Sequence, residues 1–319
     1  MFRVGVDVGG SNTDSALLDV SRLDQSPSRG VVSTYKTPTT PNVTDGIFTA
    51  IENVLDASKV DRNKILNVCI GTTHFVNAVV ERDGRRLSPV AVVRLCGPYT
   101  RSLQPFIDFP YALKDVIQGP HYYLPGGLEI DGREIDHLDE EKLKATALEI
   151  RTAGITAVAL VGVFSALDSE GIHEERAKAI MHEVAPELDI VCSHTIGGPG
   201  LLERENATIL NASILKFARK TIAGFRRAIK KLQLNCPLYI TQNDGTLADA
   251  ASAAETPIKT FASGPTNSLM GAAFLQGFGQ AQRSPATSNS SLPTSAGPQP
   301  TCVLFCRQDF PGKLPTLLK

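Results

Sequence analysis

A period-two alternation of apolar residues opens the chain and predicts a β-strand. Phe or Val occupies every second position of residues 2–8, and Gly9-Gly10 then predicts a tight turn. Apolar residues within 15–20 predict a second strand directly after this turn, and residues 31–35 predict a third. The first forty residues are therefore predicted to form three successive strands.

The spacing of apolar residues then changes from that of a strand to that of a helix. Four apolar residues within 47–55 fall on one face of a helix that begins near residue 45. An apolar strand over 65–70 follows, with a helical segment over 77–82 behind it. The predicted order of elements is β-β-β-α-β-α.

The rest of the chain alternates regular segments with one irregular stretch. Residues 157–164 are almost wholly apolar, which is typical of a buried parallel strand. Residues 96–135 are rich in Gly, Pro and aromatic residues without clean periodicity, and we interpret them as an insertion or lid-like segment. The other predicted strands are 89–95, 190–192 and 238–240, and the other predicted helices are 139–150, 169–184, 205–232 and 269–274.

Composition narrows the class of protein. The 319 residues are 42% hydrophobic and 20% charged, with a formal net charge of −1. These values predict a soluble, globular protein large enough for two modest domains, without a membrane-spanning segment. The N-terminus lacks the regions of a secretory signal, so a cytoplasmic location is expected. The charge argues against nucleic acid as a partner, and the basic residues within 205–232 are interpreted as a solvated helix face.

The Gly-Gly turn carries residues that suit a phosphate group. Glycine has no Cβ, so the backbone at Gly9 and Gly10 allows close approach of a bound group. Ser11, Asn12 and Thr13 add hydroxyl, amide and backbone N–H donors. A dinucleotide fingerprint and a P-loop are excluded, because the turn leads into a strand and no Gly-Lys-Ser/Thr follows. The alternative is an ordinary hairpin that closes two sheet strands.

Other polar residues stand at the ends of predicted strands. Asp7, at the end of the first strand, is a candidate to hold a hydrated Mg²⁺. Thr73 and His74 follow the strand 65–70 at its carboxyl end, where ligands bind in open α/β sheets. We interpret His74 either as a general base or substrate-polarising group, or as a packed or helix-capping residue beside Phe75.

Two further polar turns lie late in the chain. Asp244 belongs to the amide- and carboxylate-rich turn 241–246, whose groups suit a polar ligand. Ser263 and Gly264 open a second turn, which precedes the last predicted helix. Backbone N–H groups at a helix N-terminus favour a negatively charged group, so this turn predicts a place for an anion.

These motifs together resemble the hydantoinase/oxoprolinase family: N-methylhydantoinase A-type subunits, 5-oxoprolinase, and acetone and acetophenone carboxylase subunits. The matching segments are VDVGGSNTD over 6–14, GTTHFVNA over 71–78, Phe164-Ser165 with His173-Glu174, TQNDG over 241–245 and SGP over 263–265. Their order and spacing are specific, and the likeness covers about residues 2–275.

The resemblance implies a fold and a chemistry. The implied fold is an α/β lobe of the actin-like ATPase superfamily, which includes the sugar kinases, with a mixed β-sheet and an incomplete second lobe. The implied activity is that of an ATP-dependent hydrolase, in which ATP phosphorylates the carbonyl oxygen of a cyclic amide and water then opens the ring. ATP and Mg²⁺ are the implied cofactors. A hydantoin or 5-oxoproline type of amide is the implied substrate, and a hydantoinase B-type partner subunit or a homo-oligomer is the implied assembly.

The resemblance also distributes roles among residues of this sequence. Asp7 receives the metal-binding role and a catalytic role. The other catalytic candidates are Thr73, His74 and Asp244. The cofactor-binding candidates are Gly9, Gly10, Ser11, Asn12, Thr13, Ser263 and Gly264.

After residue 275 the sequence leaves the family pattern. A second Gly-Gly and Thr-rich phosphate loop is expected there, but residues 276–319 are rich in Ser, Pro and Thr and are predicted to be a disordered tail. The predicted organisation is a hydantoinase/oxoprolinase N-terminal domain over 1–198, the beginning of a main domain over 199–275, and this tail. We interpret the chain as a truncated form, for which weak ATP binding is expected.

Two other functions stay open. A non-catalytic binding or regulatory fragment is favoured by the missing phosphate loop, and it is distinguished by whether ATP or substrate binds at all. A small-molecule kinase of the same superfamily needs a carboxylate base near the acceptor hydroxyl and an intact second phosphate loop.

Overall fold

The computed structural model describes residues 1–25, 27–40, 43–168 and 171–276. Of the tail predicted over 276–319, residues 277–319 lie outside this described part. The strands are β1 (Phe2–Val8), β2 (Asn12–Asp19), β3 (Val31–Pro38), β4 (Ile65–Thr72), β5 (Val90–Leu95), β6 (Gln118–Leu124), β7 (Ala157–Gly162), β8 (Asp189–Cys192), β9 (Leu238–Thr241) and β10 (Leu247–Asp249). The helices are α1 (Val43–Ser58), α2 (His74–Val80), α3 (Tyr111–Ile117), α4 (Glu140–Thr152), α5 (Ile172–Val184), α6 (Leu201–Lys231), α7 (Ala250–Glu255) and α8 (Ser263–Leu275).

The chain divides into two compact units. The first unit consists, within the described residues, of Met1–Thr72, Ala228–Leu247 and residues 262–276. The second consists of Thr73–Arg227 and Ala248–Phe261. The division of the sequence at residue 198 into two family domains stays a prediction.

The first unit is built on a six-stranded mixed sheet with the order β10-β9-β4-β1-β2-β3. The pairs β1–β2 and β2–β3 are antiparallel, while β4 runs parallel to both β1 and β9. The predicted order of three strands, a helix, a strand and a helix is confirmed from β1 to α2.

Helices cover this sheet because its strands alternate apolar and polar positions. Val4, Val6 and Val8 are fully buried on one face, where α1 packs against β1, β2 and β3. Ser15, on the same face of β2, donates from its hydroxyl to the Ala50 carbonyl of α1 at 2.7 Å. The opposite face carries Asp7 and meets α8 at β4.

The second unit contains a four-stranded parallel sheet with the order β6-β5-β7-β8. Its strands β5 and β7 are buried at every position, as expected of parallel strands with both faces covered. Helices α4 and α5 close one core against them, and this core includes Leu143, Ile150 and Met181.

Two expectations about local structure were wrong. Residues 96–135 contain α3 and the edge strand β6, so this stretch is part of the second sheet and not an insertion alone. The strand has no apolar alternation, and Gly119 lies so close to β5 that an added Cβ would sit 2.5 Å from the Val90 carbonyl oxygen. The turn predicted over 263–268 is helical, because α8 already begins at Ser263 and accommodates Pro265 in its first turn.

No helix in the described part of the chain is long and apolar enough to span a membrane.

Candidate functional site

A row of polar residues crosses the sheet of the first unit where β1 ends. Asp7 pairs with Asp14 on β2 and with Gly71 on β4, and Asp14 pairs with Lys36 on β3. Ile70 pairs with Ile240, so Thr241 of β9 stands next to Gly71. Laterally paired residues point to the same face of a sheet. We call Lys36, Asp14, Asp7, Gly71 and Thr241 the polar row.

The row brings two carboxylates together on one face. Burial and, to a smaller extent, the neighbouring Asp14 carboxylate together raise the pKa of Asp7 to about 6. Lys36 Nζ lies 3.9 Å from Asp14 Oδ1 and offsets only part of this negative charge. Carboxylates that disfavour each other's ionisation are stabilised by a cation between or beside them, so the donor set fits a hydrated Mg²⁺.

The hairpin between β1 and β2 is fixed at its base. Gly9 N donates to Asn12 O at 3.0 Å, and Thr39 N donates to Ser11 O at 2.9 Å. The Thr39 hydroxyl donates to Gly9 O at 2.9 Å. These bonds tie the hairpin to the end of β3 and orient its tip.

The tip itself leaves amide donors available. Gly10 and Ser11 are exposed, and within the described part of the chain their N–H groups donate to no backbone carbonyl. Two successive amides that point outward form a concavity that suits phosphate oxygens.

Asn12 and Thr13, the other hairpin candidates, lie in β2. Asn12 is half-buried, whereas Thr13 is buried on the face that α1 covers and has its Oγ1 3.2 Å from Thr39 Oγ1. The structure therefore places the Thr13 hydroxyl inside the fold, and its predicted role at a phosphate stays a prediction.

The β9–β10 turn joins the start of α8. Asn243 Oδ1 accepts from Ala262 N at 2.6 Å, and Asn243 O accepts from the Thr266 hydroxyl at 2.7 Å. Asp244 is exposed and accepts from the N–H and hydroxyl of Thr246 at 2.9 and 2.7 Å. Asp244 thus shapes the turn in this structure, and its catalytic role stays a prediction.

Helix α8 contributes two buried polar residues to the first unit. Ser263 is its first residue and Gly264, half-buried, its second. Asn267, one turn later, is 1% exposed and donates from Nδ2 to Thr241 Oγ1 at 2.9 Å. Ser263 Oγ and Asn267 Oδ1 have no hydrogen-bond partner among the described residues. Sequence reasoning missed Asn267, although its spacing of four residues from Ser263 would place both on one face of a helix.

Thr73 and His74 belong to the second unit. Thr73 precedes α2 and accepts from Asn77 Nδ2 at 3.4 Å. The His74 ring is half-buried and lies 5.4 Å from the Phe217 ring, centroid to centroid. Burial, followed by the nearby Arg86, lowers the pKa of His74. The packed alternative describes this geometry, and the catalytic roles of both residues stay predictions.

The second unit has its own buried polar cluster, centred on Glu174. Oε1 accepts from Gly162 N, Ser165 Oγ and Ser193 Oγ at 2.7, 2.6 and 2.6 Å. Oε2 accepts from both the N–H and Nδ1 of His194 at 2.9 Å. We call Gly162, Ser165, Glu174, Ser193, His194 and Arg204 the Glu174 network.

The charges of the Glu174 network are fully partnered. Burial alone would raise the pKa of the Glu174 carboxyl, but the hydrogen bonds from His194, Ser165 and Ser193 outweigh it and hold the pKa below its ordinary value. Arg204 donates to Gly162 O at 2.5 Å, to Gly198 O at 2.8 Å and to Ser193 Oγ at 2.9 Å.

Glu174, Cys192 and His194 place one potential metal-ligand atom each within 4.8 Å of one another. A cation there would have to displace the hydrogen bonds that occupy both oxygens of Glu174 and Nδ1 of His194. The geometry therefore describes a structural network and not a metal centre.

A surface cleft of about 480 Å³ in the second unit holds none of the predicted site residues. It runs along α6 and α7, and its Arg219 is already bound to Glu255 at 3.0 and 2.6 Å and to Asp189. This arginine is thus committed to intramolecular ion pairs.

Comparisons with known proteins place the chain in a family. The model of the hydantoinase/oxoprolinase N-terminal region matches residues 3–185, and the hydantoinase/oxoprolinase model matches residues 204–283. The chain is 28% identical over 287 residues to the caprolactamase alpha subunit of Pseudomonas jessenii, covering 83% of this chain and 39% of that subunit. It is 25% identical over 285 residues to an uncharacterized protein of Methanocaldococcus jannaschii, covering 86% of this chain and 40% of that protein.

Solved structures show the same fold. A nucleotide-free acetone carboxylase, from work on ATP-dependent acetone carboxylation, superimposes with a TM-score of 0.66 at 19% identity, over 86% of this chain and 40% of that chain. The ATP-dependent caprolactamase from Pseudomonas jessenii gives 0.62 at 23% identity, over 87% of this chain and 41% of that chain. The predicted α/β fold class with a mixed sheet is confirmed. The chain spans about two fifths of the length of these relatives.

Proposed function

Because the chain belongs to the hydantoinase/oxoprolinase family, we propose that it forms the phosphate- and cation-binding part of an ATP-dependent enzyme that opens a cyclic amide. ATP and Mg²⁺ are the proposed cofactors, and a hydantoin, an oxoproline or another lactam is the proposed substrate class. The solved relatives are described as ATP-dependent, one as a caprolactamase and one as an acetone carboxylase, which supports the use of ATP.

The observation that carries the proposal is the meeting of the polar row with the hairpin tip. Asp7 is the second-to-last residue of β1, and Gly9, Gly10 and Ser11 follow directly after this strand. A half-buried carboxylate with a raised pKa thus lies within a few residues of two exposed residues whose amides have no backbone acceptor in the described part of the chain. A nucleotide phosphate with its divalent cation needs both kinds of group, since its oxygens accept from amides and its cation binds carboxylates.

The residues have separable tasks in this proposal. The amides of Gly10 and Ser11 hold phosphate oxygens, and Asp7 holds the cation through its water shell, with Asp14 adding negative charge. Bound Mg²⁺ supplies neutralisation of phosphate charge. The N-terminus of α8, with Ser263 and Gly264, offers N–H groups to a second anionic group.

Within the first unit, Asp244 is the proposed candidate for contact with the amide substrate. The catalytic roles of Thr73 and His74, which lie in the second unit, are separate proposals. His74 would act as a neutral base or hydrogen-bond partner, because burial lowers its pKa. A partner subunit is proposed as well, since one relative is named an alpha subunit.

Calorimetric titration with ATP, with and without Mg²⁺, tests the proposal. We expect Mg²⁺-dependent ATP binding that Asp7→Asn weakens at least tenfold, because the variant removes the carboxylate that holds the cation. Asp56→Asn, an exposed carboxylate of α1 in the same unit, is the matched control and should bind as the parent chain does.

ATP hydrolysis in the presence of hydantoin, 5-oxoproline or caprolactam then tests the substrate class. Binding of ATP without stimulation by any of these amides would favour the binding or regulatory alternative. No ATP binding by the parent chain would overturn the nucleotide assignment.

A further inference from the structure

The polar row is interrupted at Gly71, and three polar groups converge on the gap. A Cβ built on Gly71 would lie 2.8 Å from Asn267 Nδ2, 3.3 Å from Asp7 Oδ1 and 3.3 Å from Thr241 Oγ1. A separation of 2.8 Å is shorter than Cβ atoms tolerate, so a side chain here would displace the Asn267 amide. Glycine at this position therefore allows groups from β1, β9 and α8 to meet.

The amide of Asn267 is oriented but only half used. Nδ2 donates to Thr241 Oγ1 at 2.9 Å, which fixes the direction of the amide plane. Oδ1 is buried and has no partner among the described residues. A buried acceptor without a donor costs about 1 to 3 kcal/mol, so an acceptor kept in this state indicates a donor that binds from outside the polypeptide.

The chemistry of that donor is set by the surroundings. Asp7 and Asp14 are paired on one face of the sheet and make the location negative, which favours a cation over an anion. Mg²⁺ gives up its water molecules reluctantly and binds proteins through one or two carboxylates with several waters retained. Such waters are strong O–H donors, and the Asp7 carboxylate and the unpartnered Asn267 Oδ1 are both acceptors whose side chains meet at Gly71.

We propose that Asn267 is a positioning residue for the water shell of the cation held at Asp7, that Thr241 orients its amide, and that Gly71 keeps the space between them open. This inference rests on the proposed function, which gives Asp7 the cation. It adds a side chain from α8 to a cation site that otherwise consists of carboxylates on β1 and β2. The site then draws on strands and a helix from both ends of the described chain.

Binding of Mn²⁺ in place of Mg²⁺ tests the inference. The electron paramagnetic resonance signal of free Mn²⁺ measures this binding. Asn267→Leu keeps the approximate volume and removes the acceptor, so we expect Mn²⁺ affinity to fall about tenfold or more. Asn267→Asp keeps an acceptor oxygen and should retain Mn²⁺ binding within about threefold of the parent. Gly71→Ala should lose affinity as Asn267→Leu does.

Matched controls separate this effect from a general loss of structure. Asn53→Leu changes an Asn of α1, the helix that covers the opposite face, and Gly198→Ala adds a Cβ where no atom lies within 4 Å. Both should bind Mn²⁺ as the parent does. Thermal unfolding without cation should show Asn267→Leu folded, since removal of a buried acceptor that lacks a donor offsets the loss of the hydrogen bond to Thr241.

The outcomes distinguish this inference from the proposed function. Parent-like Mn²⁺ affinity in both Asn267→Leu and Gly71→Ala would overturn the role of Asn267 and leave the nucleotide assignment intact. A parent chain that binds neither Mn²⁺ nor Mg²⁺-ATP would overturn both. Loss of binding in Asn267→Asp as well as Asn267→Leu would show that the acceptor oxygen is not what matters and would also overturn the inference.

Discussion

Two clusters of buried polar groups, one in each unit, look alike in composition and differ in how completely their atoms are partnered. The polar row contains a carboxylate whose pKa is raised to about 6, and the adjoining α8 contains buried oxygens without partners among the described residues. In the Glu174 network both carboxylate oxygens accept two or three hydrogen bonds, and the pKa is held low.

The difference teaches how to tell a site from a scaffold. In a satisfied network every donor and acceptor already has a partner within the protein, so the network stabilises the fold and offers few free groups to a ligand. An incompletely satisfied cluster has donors or acceptors without partners in the protein, which lowers stability but leaves these groups available to a ligand. Binding sites are usually arranged in this way. Spacing of ligand-type residues alone would have selected Glu174, Cys192 and His194 as the metal centre.

Glu174→Gln is expected to change the free energy of unfolding more than any other variant considered. The variant replaces an acceptor of several buried donors with a group that is itself partly a donor, and should lower the free energy of unfolding by about 3 to 5 kcal/mol. Urea denaturation measures the change. Glu175→Gln, on the exposed side of the same helix, should change the free energy by less than about 0.5 kcal/mol. Equal effects in both variants would contradict the assignment of Glu174 as structural.

Asp7→Asn is expected to raise the free energy of unfolding, whereas Glu174→Gln lowers it. The native pKa of Asp7 lies above its ordinary value of 3.8, so the folded chain binds more protons than the unfolded chain between pH 3.8 and about 6. Stability from this group is present at low pH and is lost as pH rises through that window. The variant removes the loss and should be more stable than the parent by about 2 kcal/mol at pH 7.5.

The same pair should converge in acid. Asp7 is protonated in both states only well below its ordinary pKa of 3.8, so most of the stability advantage of Asp7→Asn should be lost by pH 4. Urea denaturation at pH 4 and pH 7.5 checks the difference. A variant less stable than the parent at pH 7.5 would show that Asp7 is paired in the folded chain and would break the comparison.

Two serine variants, one in each cluster, test the same contrast with smaller expected changes in stability. Ser165→Ala removes a donor to Glu174 and should cost about 1 to 2 kcal/mol. Ser263→Ala removes a buried hydroxyl that has no partner among the described residues, and should leave stability unchanged within about 0.5 kcal/mol or raise it. Thermal unfolding of the two variants side by side tests both expectations, and equal losses would remove the contrast between the clusters.

The smallest effect is expected at His173, a buried neighbour of the Glu174 network. Its Nε2 accepts from Gly127 N at 2.9 Å, which requires the neutral ring, and burial lowers the pKa of the imidazole although Glu134, Glu174 and Asp168 oppose this shift. Unfolded chains take up a proton below the ordinary pKa of 6.5 before the folded chain does, so stability should fall as pH drops below 6.5.

His173→Asn tests this pH dependence. The Asn amide oxygen can accept from the Gly127 N–H without titrating, so the fall in stability between pH 7 and pH 5 should be shallower in the variant. Chemical denaturation at the two pH values compares them. The same slope in parent and variant would assign the acid sensitivity to other groups.

The sequence predicted the parts of the fold and site that a single segment determines. The hairpin with Asp7 and its glycines follows from alternation of Phe and Val and from two adjacent glycines, and the order of elements from β1 to α2 is confirmed. Strand β6 was missed because its position depends on β5 accepting Gly119 and not on an apolar pattern of its own.

The remainder of the site depends on register between distant strands. Nothing near Asn267 or Thr241 in the sequence indicates that they face Gly71 and Asp7, because that meeting requires the parallel alignment of β1, β4 and β9. The start of α8 was placed too late for a similar reason, since Gly and Pro in its first turn favour a turn on local grounds. The sequence therefore predicted the motifs within single segments, but not how distant segments come together in the site.

The register of the polar row also has a consequence for the order in which the chain acquires structure. The hairpin joins neighbouring strands and requires only the closure of a very short loop, whereas Asn267 comes from the last described helix. Contacts of high sequence separation form late, because the entropy of closing a long loop precedes any gain from the contact. We therefore expect the turn that carries the phosphate-binding amides to form early in folding, and the amide that faces Asp7 to be among the last parts to reach its place.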